Sequence, residues 1–158
     1  MAVTVQESSA AKSKSRAKKP AIRARHPQEQ HPPQHPVISF IISADTHFVH
    51  KAWHDASERV SKIQYPMLAD PTHALARDFD VLVESRGVAE RGTFIINPEG
   101  KIVAYEINSG NVGRNAEELL RKVQACQFVY EHGDEVCPAK WQPGAPTLKP
   151  SLDLVGLL

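Results

Sequence analysis

The chain has 158 residues, 41% of them hydrophobic and 23% charged, with 19 Lys and Arg against 18 Asp and Glu. That is enough for one soluble domain with a substantial core. No apolar run reaches the ~18 residues of a membrane-spanning helix, no secretory n-region, h-region and cleavage site is present, and two cysteines are too few for a disulfide scaffold, so the reading is a cytoplasmic protein.

The net charge of +1 conceals an asymmetry. Residues 1–36 carry seven Lys/Arg against Glu7 and Glu29, a net of +5, which leaves −4 for the remainder. In this leader only Val3, Val5 and Ile22 are sizeable apolar groups, and the run Gln28 to Pro36 is closed to helix by Pro32, Pro33 and Pro36. Such a segment cannot offset an ordering entropy of about 1–2 kcal/mol per residue, so it is expected to be disordered. A nucleic-acid arm and a transit peptide are alternatives for it. A solvated tail is favoured, because no aromatics interleave with the basic residues.

Regular structure is expected from Val37. Val37 to Ser43 (VISFIIS) is a β-rich, nearly continuous apolar run, as in a strand covered on both faces. Asp45 or Thr46 can cap a helix to about Lys62, with Phe48, Val49, Ala52, Trp53, Ala56 and Val60 at three- and four-residue spacing. His47, His50 and His54 fall opposite Phe48, Ala52 and Ala56. A solvent-facing stripe is favoured there over a zinc site, since the general base of a His-Glu-x-x-His motif is missing. Tyr65 to Leu68 predicts a short strand. Asp70 as cap with Pro71 at the first position predicts a helix to about Phe79.

Gly92 to Asn97 and Lys101 to Asn108 predict a hairpin about the Pro98-Glu99-Gly100 turn. Gly110 to Asn115 is read as a capping loop, because it lacks the spacing of a phosphate loop. Asn115 to about Tyr130 is helical, with Glu117 and Glu118 favourably placed in its first turn. A Pro/Gly-rich segment, 142–150, and a short apolar end, 152–158, close the chain. Strand, helix, strand, helix, hairpin, helix is an α/β order.

Three residues stand out chemically. Cys137 lies in a polar loop, Gly133 to Trp141, after the last helix, where a thiol on a mobile tail is open to a partner. Cys126 follows Val123 by three and Leu119 by seven, on their helical face, and reads as a small buried hydrophobe. Its pairing with Cys137 would need the tail to fold back. Arg91 precedes a buried strand. A strand-end arginine snorkelling to water and a guanidinium aimed at an anion are equally open from position alone.

Long blocks in order carry a family resemblance: Ser43 to Phe48, Lys51 to His54, Tyr65 to Thr72, Arg91 to Gly100, Asn115 to Val123, Glu135 to Trp141 and Ser151 to Gly156. Over about residues 37–158 the chain resembles the bacterial alkyl hydroperoxide reductase C family, typical two-cysteine peroxiredoxins. The resemblance implies a thioredoxin-like α/β fold and thiol-based reduction of hydrogen peroxide, organic hydroperoxides or peroxynitrite, with no bound metal or cofactor. It implies that Cys137 is the resolving cysteine, in a tail of about 131–158, and Arg91 the active-site arginine. It implies a homo-oligomer, from edge-to-edge dimers at Lys101 to Asn108 up to rings of dimers. Reducing equivalents would come from a flavoprotein reductase using NADH and FAD, or from thioredoxin. The family's peroxidatic cysteine, in a Pro-x-x-x-Thr-x-x-Cys motif ahead of the segment matched by Val37, is absent from this sequence. The fold is therefore expected to be N-terminally incomplete, with an unrelated leader, a central strand position left empty, poor autonomous folding and little or no peroxide turnover by this chain alone.

Overall fold

The computed structural model describes residues 2–6 and 36–155. The basic stretch at 7–35, and with it the nucleic-acid and transit-peptide readings, lies outside the described residues, as does the end of the chain at 156–158. Two compact units are present, one built from β1 (Ala2–Gln6) with residues 37–115 and one containing residues 116 onward.

In the first unit the chain runs β2 (Val37–Ser43), α1 (His47–Ala56), β3 (Met67–Ala69), α2 (Ala74–Asp78), β4 (Leu82–Val83), β5 (Val88–Ala89), β6 (Arg91–Ile96) and β7 (Ile102–Asn108). The five-stranded sheet has the order β3-β2-β1-β6-β7. β2 pairs parallel with β3, and β6 pairs antiparallel with β7 in the expected hairpin. The central position is filled by β1, antiparallel to β2 (Val3 opposite Phe40) and parallel to β6 (Val3 opposite Phe94). This corrects the expectation that the leader contributes no element and leaves the position empty. Five residues suffice because a strand between two partners has both rows of backbone donors and acceptors satisfied.

Local signals explain the helices and two shifts from the expected bounds. Thr46 caps α1 through Val49 N at 3.4 Å, and the helix stops at Ala56; a separate 3₁₀ turn, Val60–Lys62, completes the predicted span. Asp70 is buried and accepts from Leu75 N (3.2 Å) and Ala76 N (2.8 Å), so it satisfies the orphan donors of α2 from four residues upstream. His73, at φ 58°, occupies the cap position itself, and α2 begins at Ala74 rather than Pro71. The β4–β5 hairpin was not anticipated; its turn passes through Gly87 at φ +61°, which favours glycine.

The packed centre of this unit is Ala76, Val81 and Phe94, joined by Phe79, Leu82 and Ala89. The Phe79 and Phe94 rings lie 4.6 Å apart at a tilt of 47°. Gly92 makes this approach available, since a Cβ there would stand 2.7 Å from the Phe94 ring and 3.0 Å from Val81 Cγ1. Gly92→Ala is expected to destabilise the unit by about 1–3 kcal/mol; a urea midpoint equal to that of the parent chain would remove this role for the glycine.

The helix α1 is turned opposite to the expected way. His50 is buried (4% exposed), while Phe48 (74%), Val49 and Trp53 are exposed. The Ser43 hydroxyl at the end of β2 lies 2.6 Å from His50 Nε2 and donates to Asp45. This polar anchor at the strand–helix junction turns the histidine inward. The expected solvent-facing stripe of His47, His50 and His54 is therefore broken at its middle member. No group of three metal-capable side chains gathers among the described residues.

Candidate active site

Arg91 opens β6 and is exposed. Its Nε donates to the Gly110 carbonyl at 2.7 Å, tying the 110–115 loop to the strand end. From that loop Arg114 returns: its Nη1 donates to the Gly92 carbonyl (3.3 Å) and reaches Thr93 Oγ1 at 3.5 Å. The strand end and the loop are thus tied twice, by Arg91 reaching out to Gly110 and by Arg114 reaching back to Gly92 and Thr93. Arg114 was not singled out from the sequence, where its loop reads only as a cap. Its signal was a second cation immediately after Gly113, placed to reach back across the hairpin.

The second unit is organised on α3 (Ala116–Glu131), which has Glu117 and Glu118 in its first turn. Val123 and Gln127 are buried, whereas Cys126 is half-buried. Beyond the helix the chain is held by specific contacts, where the sequence suggested a mobile tail around Cys137. Val136 and Leu148 exchange backbone hydrogen bonds (2.7 and 3.0 Å) as an antiparallel bridge. Lys149 pairs with Asp134, and Thr147 donates to Glu135. Trp141 is buried against Phe128 with centroids 5.1 Å apart, and its indole Nε1 donates to Ala145 O at 3.0 Å.

Arg121 joins helix and tail. Its Nε and Nη2 grip Glu118 (2.6 and 2.8 Å), and its Nη1 donates to the Trp141 carbonyl at 3.0 Å. The loop so fastened lays the Cys137 thiol 4.0 Å from the Ala125 carbonyl. Both cysteines are free thiols. Burial pushes the Cys137 thiol above its ordinary range, the nearby Cys126 and Glu135 add to the rise, and Arg121 opposes it. Burial raises the Cys126 thiol as well, again against Arg121. A raised thiol is mostly protonated at neutral pH, so neither is a strong nucleophile while the tail is docked.

An α/β unit with a mixed five-stranded sheet, followed by a helix and a docked tail, is an architecture of the thioredoxin-like kind. Similarity to known proteins makes the class particular. Residues 16–105 match the AhpC/TSA family, a match that begins well ahead of Val37 and within the segment expected to be unrelated; residues 125–156 match the C-terminal domain of 1-Cys peroxiredoxin. Alkyl hydroperoxide reductase C of Bacillus subtilis is 57% identical over 117 residues, covering 74% of this chain and 63% of that protein. The Staphylococcus haemolyticus protein of the same name is 56% identical over 117 residues, covering 74% and 62%. Among solved structures, Enterococcus faecalis AhpC superposes with a TM-score of 0.60 at 61% identity, covering 63% of this chain and 59% of that one. The reduced 2-Cys peroxiredoxin of Plasmodium vivax superposes with a TM-score of 0.67 at 30% identity, covering 72% and 60%. The chain belongs to the AhpC/TSA family and has its thioredoxin-like peroxiredoxin fold. It spans somewhat under two thirds of the length of the curated relatives it matches.

Proposed function

We propose that the chain serves peroxiredoxin chemistry, the thiol-dependent reduction of hydrogen peroxide and organic hydroperoxides, as the half that resolves. The observation that carries this reading is Cys137, which lies with Cys126 within the 125–156 match but, unlike it, beyond the helix, on a tail docked through Arg121 and Trp141. A peroxidatic cysteine attacks the peroxide, becomes a sulfenic acid and releases an alcohol or water. The Cys137 thiolate then attacks that sulfenic sulfur, the S–S bond forms, and the oxygen leaves as water. In this reading the sulfenic acid is supplied by a protomer that carries the Pro-x-x-x-Thr-x-x-Cys segment. Arg91 is the anion-facing guanidinium of the site, and Arg114 fixes the loop that Arg91 binds. The β7 strand is the dimer edge, and a flavoprotein reductase fed by NADH, or thioredoxin, restores the thiols.

No described helix is long and apolar enough to cross a membrane. A chain with two cysteines and no disulfide scaffold suits a reducing compartment, which supports the cytoplasm as its place of work. The test mixes this chain with Bacillus subtilis alkyl hydroperoxide reductase C lacking its own resolving cysteine, then adds hydrogen peroxide. A mixed disulfide through Cys137 on non-reducing gels, with NADH oxidation restored on adding the reductase, is the expected result, and this chain by itself consumes peroxide at the buffer rate. Absence of the mixed disulfide, or full turnover by the chain alone, overturns the reading.

A further inference from the structure

From the sequence Cys126 is a packing residue, and the reaction above does not use it. The docked tail changes its surroundings. The Cys137 sulfur lies 4.0 Å from the Ala125 carbonyl oxygen. The next Cα along the chain is that of Cys126, about 2.8 Å from the same oxygen across a trans peptide, so the Cys137 sulfur stands within roughly 7 Å of the Cys126 Cα. Cys126 is half-buried on α3, not sealed in its core. Eleven positions separate the two cysteines in the sequence. The contacts of Trp141 with Phe128 and Arg121 hold the Cys137 segment near the helix, and the Val136–Leu148 bridge fixes the form of that segment.

We propose that Cys126 and Cys137 are a redox-active dithiol that closes a reversible disulfide within the chain. Disulfides need a Cα separation of about 4.4–6.8 Å, so closure draws the Cys137 segment, whose sulfur already lies against the helix at Ala125, onto Cys126. The oxidant is a low-molecular-weight disulfide. The Cys137 thiolate attacks one of its sulfurs, the S–S bond breaks and one small thiolate departs. The Cys126 thiolate then attacks the Cys137 sulfur and expels the second. Two protein thiols are oxidised, one disulfide is reduced to two thiols, and the two protein protons pass to the leaving thiolates. Arg121, fixed on Glu118, lies close enough to act on both sulfurs and favours the thiolate at each step. Where Cys137 is linked to another protomer, which rests on the function proposed above, the same attack by Cys126 releases that protomer and turns a terminal cross-link into a transferable one.

The experiment uses the full chain without any peroxidase partner. Reduced protein is equilibrated with mixtures of reduced and oxidised glutathione, quenched in acid, and weighed intact and as peptides. The expected product is a monomer that has lost two hydrogens and retains no glutathione, with a peptide linking Cys126 to Cys137. In Cys126→Ser, glutathione stays on Cys137, about tenfold or more above its level in the parent chain, because an intramolecular thiol competes at an effective concentration in the millimolar range. A parent chain that keeps glutathione on Cys137 to the same extent, or carries it on both cysteines without a linked peptide, overturns the proposal. The parent-chain map needs no variant to fold. Failure of the trans-resolving reading leaves this outcome untouched, and the reverse also holds.

Discussion

Removal of residues 2–6 is expected to abolish cooperative unfolding of the first unit. β1 sits between β2 and β6, with five residues in register on one side and four on the other. Without it the five-stranded sheet falls into a β3–β2 pair and a β6–β7 pair. Two-stranded pieces are marginal in water, and each would present an unpaired apolar edge. A milder form is Thr4→Pro, which removes a ladder donor and fixes φ in the middle of a sheet, leaving a partner carbonyl unsatisfied at a cost of about 1–3 kcal/mol. For the deletion, far-ultraviolet circular dichroism should lose its sigmoidal urea transition, and size exclusion should show oligomers. A sharp transition at the parent midpoint, with a monodisperse monomer, would show that β1 contributes nothing. That strand decides whether the chain folds by itself, because it occupies the central position expected from the sequence to be empty.

How much of this was legible depends on the length of each signal. The β6–β7 hairpin and α3 were readable because each repeats its period over a dozen or more residues, and the observed bounds Ile102–Asn108 and Ala116–Glu131 fall within a residue or so of those expected. Ala2–Gln6 was not. Val3-Thr4-Val5 is β-branched, but three residues inside a charged, Pro-rich leader lose to the composition around them. The orientation of α1 was illegible for another reason. Periodicity finds an apolar stripe but not what lies beneath it, and one bond from Ser43 to His50 outranked the stripe of Phe48, Val49 and Trp53. In the site, Cys137 and Arg91 were visible as residues. The docking of the tail was not, because it rests on contacts between Arg121 and Trp141 and between Phe128 and Trp141 that no local pattern encodes.

Trp141→Ala is expected to undock that tail and raise the alkylation rate of Cys137 on the order of a hundredfold at neutral pH. The indole is buried, stacks at a tilt on Phe128 and donates to Ala145, while its backbone carbonyl receives Arg121. Truncating a buried tryptophan costs about 3–5 kcal/mol. If that loss falls on local opening and the lower end is taken, the open population grows by roughly a factor of 10². The pH dependence gives a second readout. Burial holds the Cys137 thiol above its ordinary value, so the docked tail binds that proton more tightly than the open tail does. Docking is therefore at full strength below the ordinary cysteine range, about pH 8.5, and weakens as pH rises from there towards the raised docked value. The parent chain should show alkylation that keeps rising with pH beyond the ordinary cysteine range, because above it each step still adds open tail until the raised docked value is reached. Trp141→Ala should follow a simple one-proton curve with its midpoint moved down to the ordinary range. Superimposable curves for the two proteins would mean that the Trp141 contacts do not gate the thiol, and that Cys137 reaches its partners from the docked form.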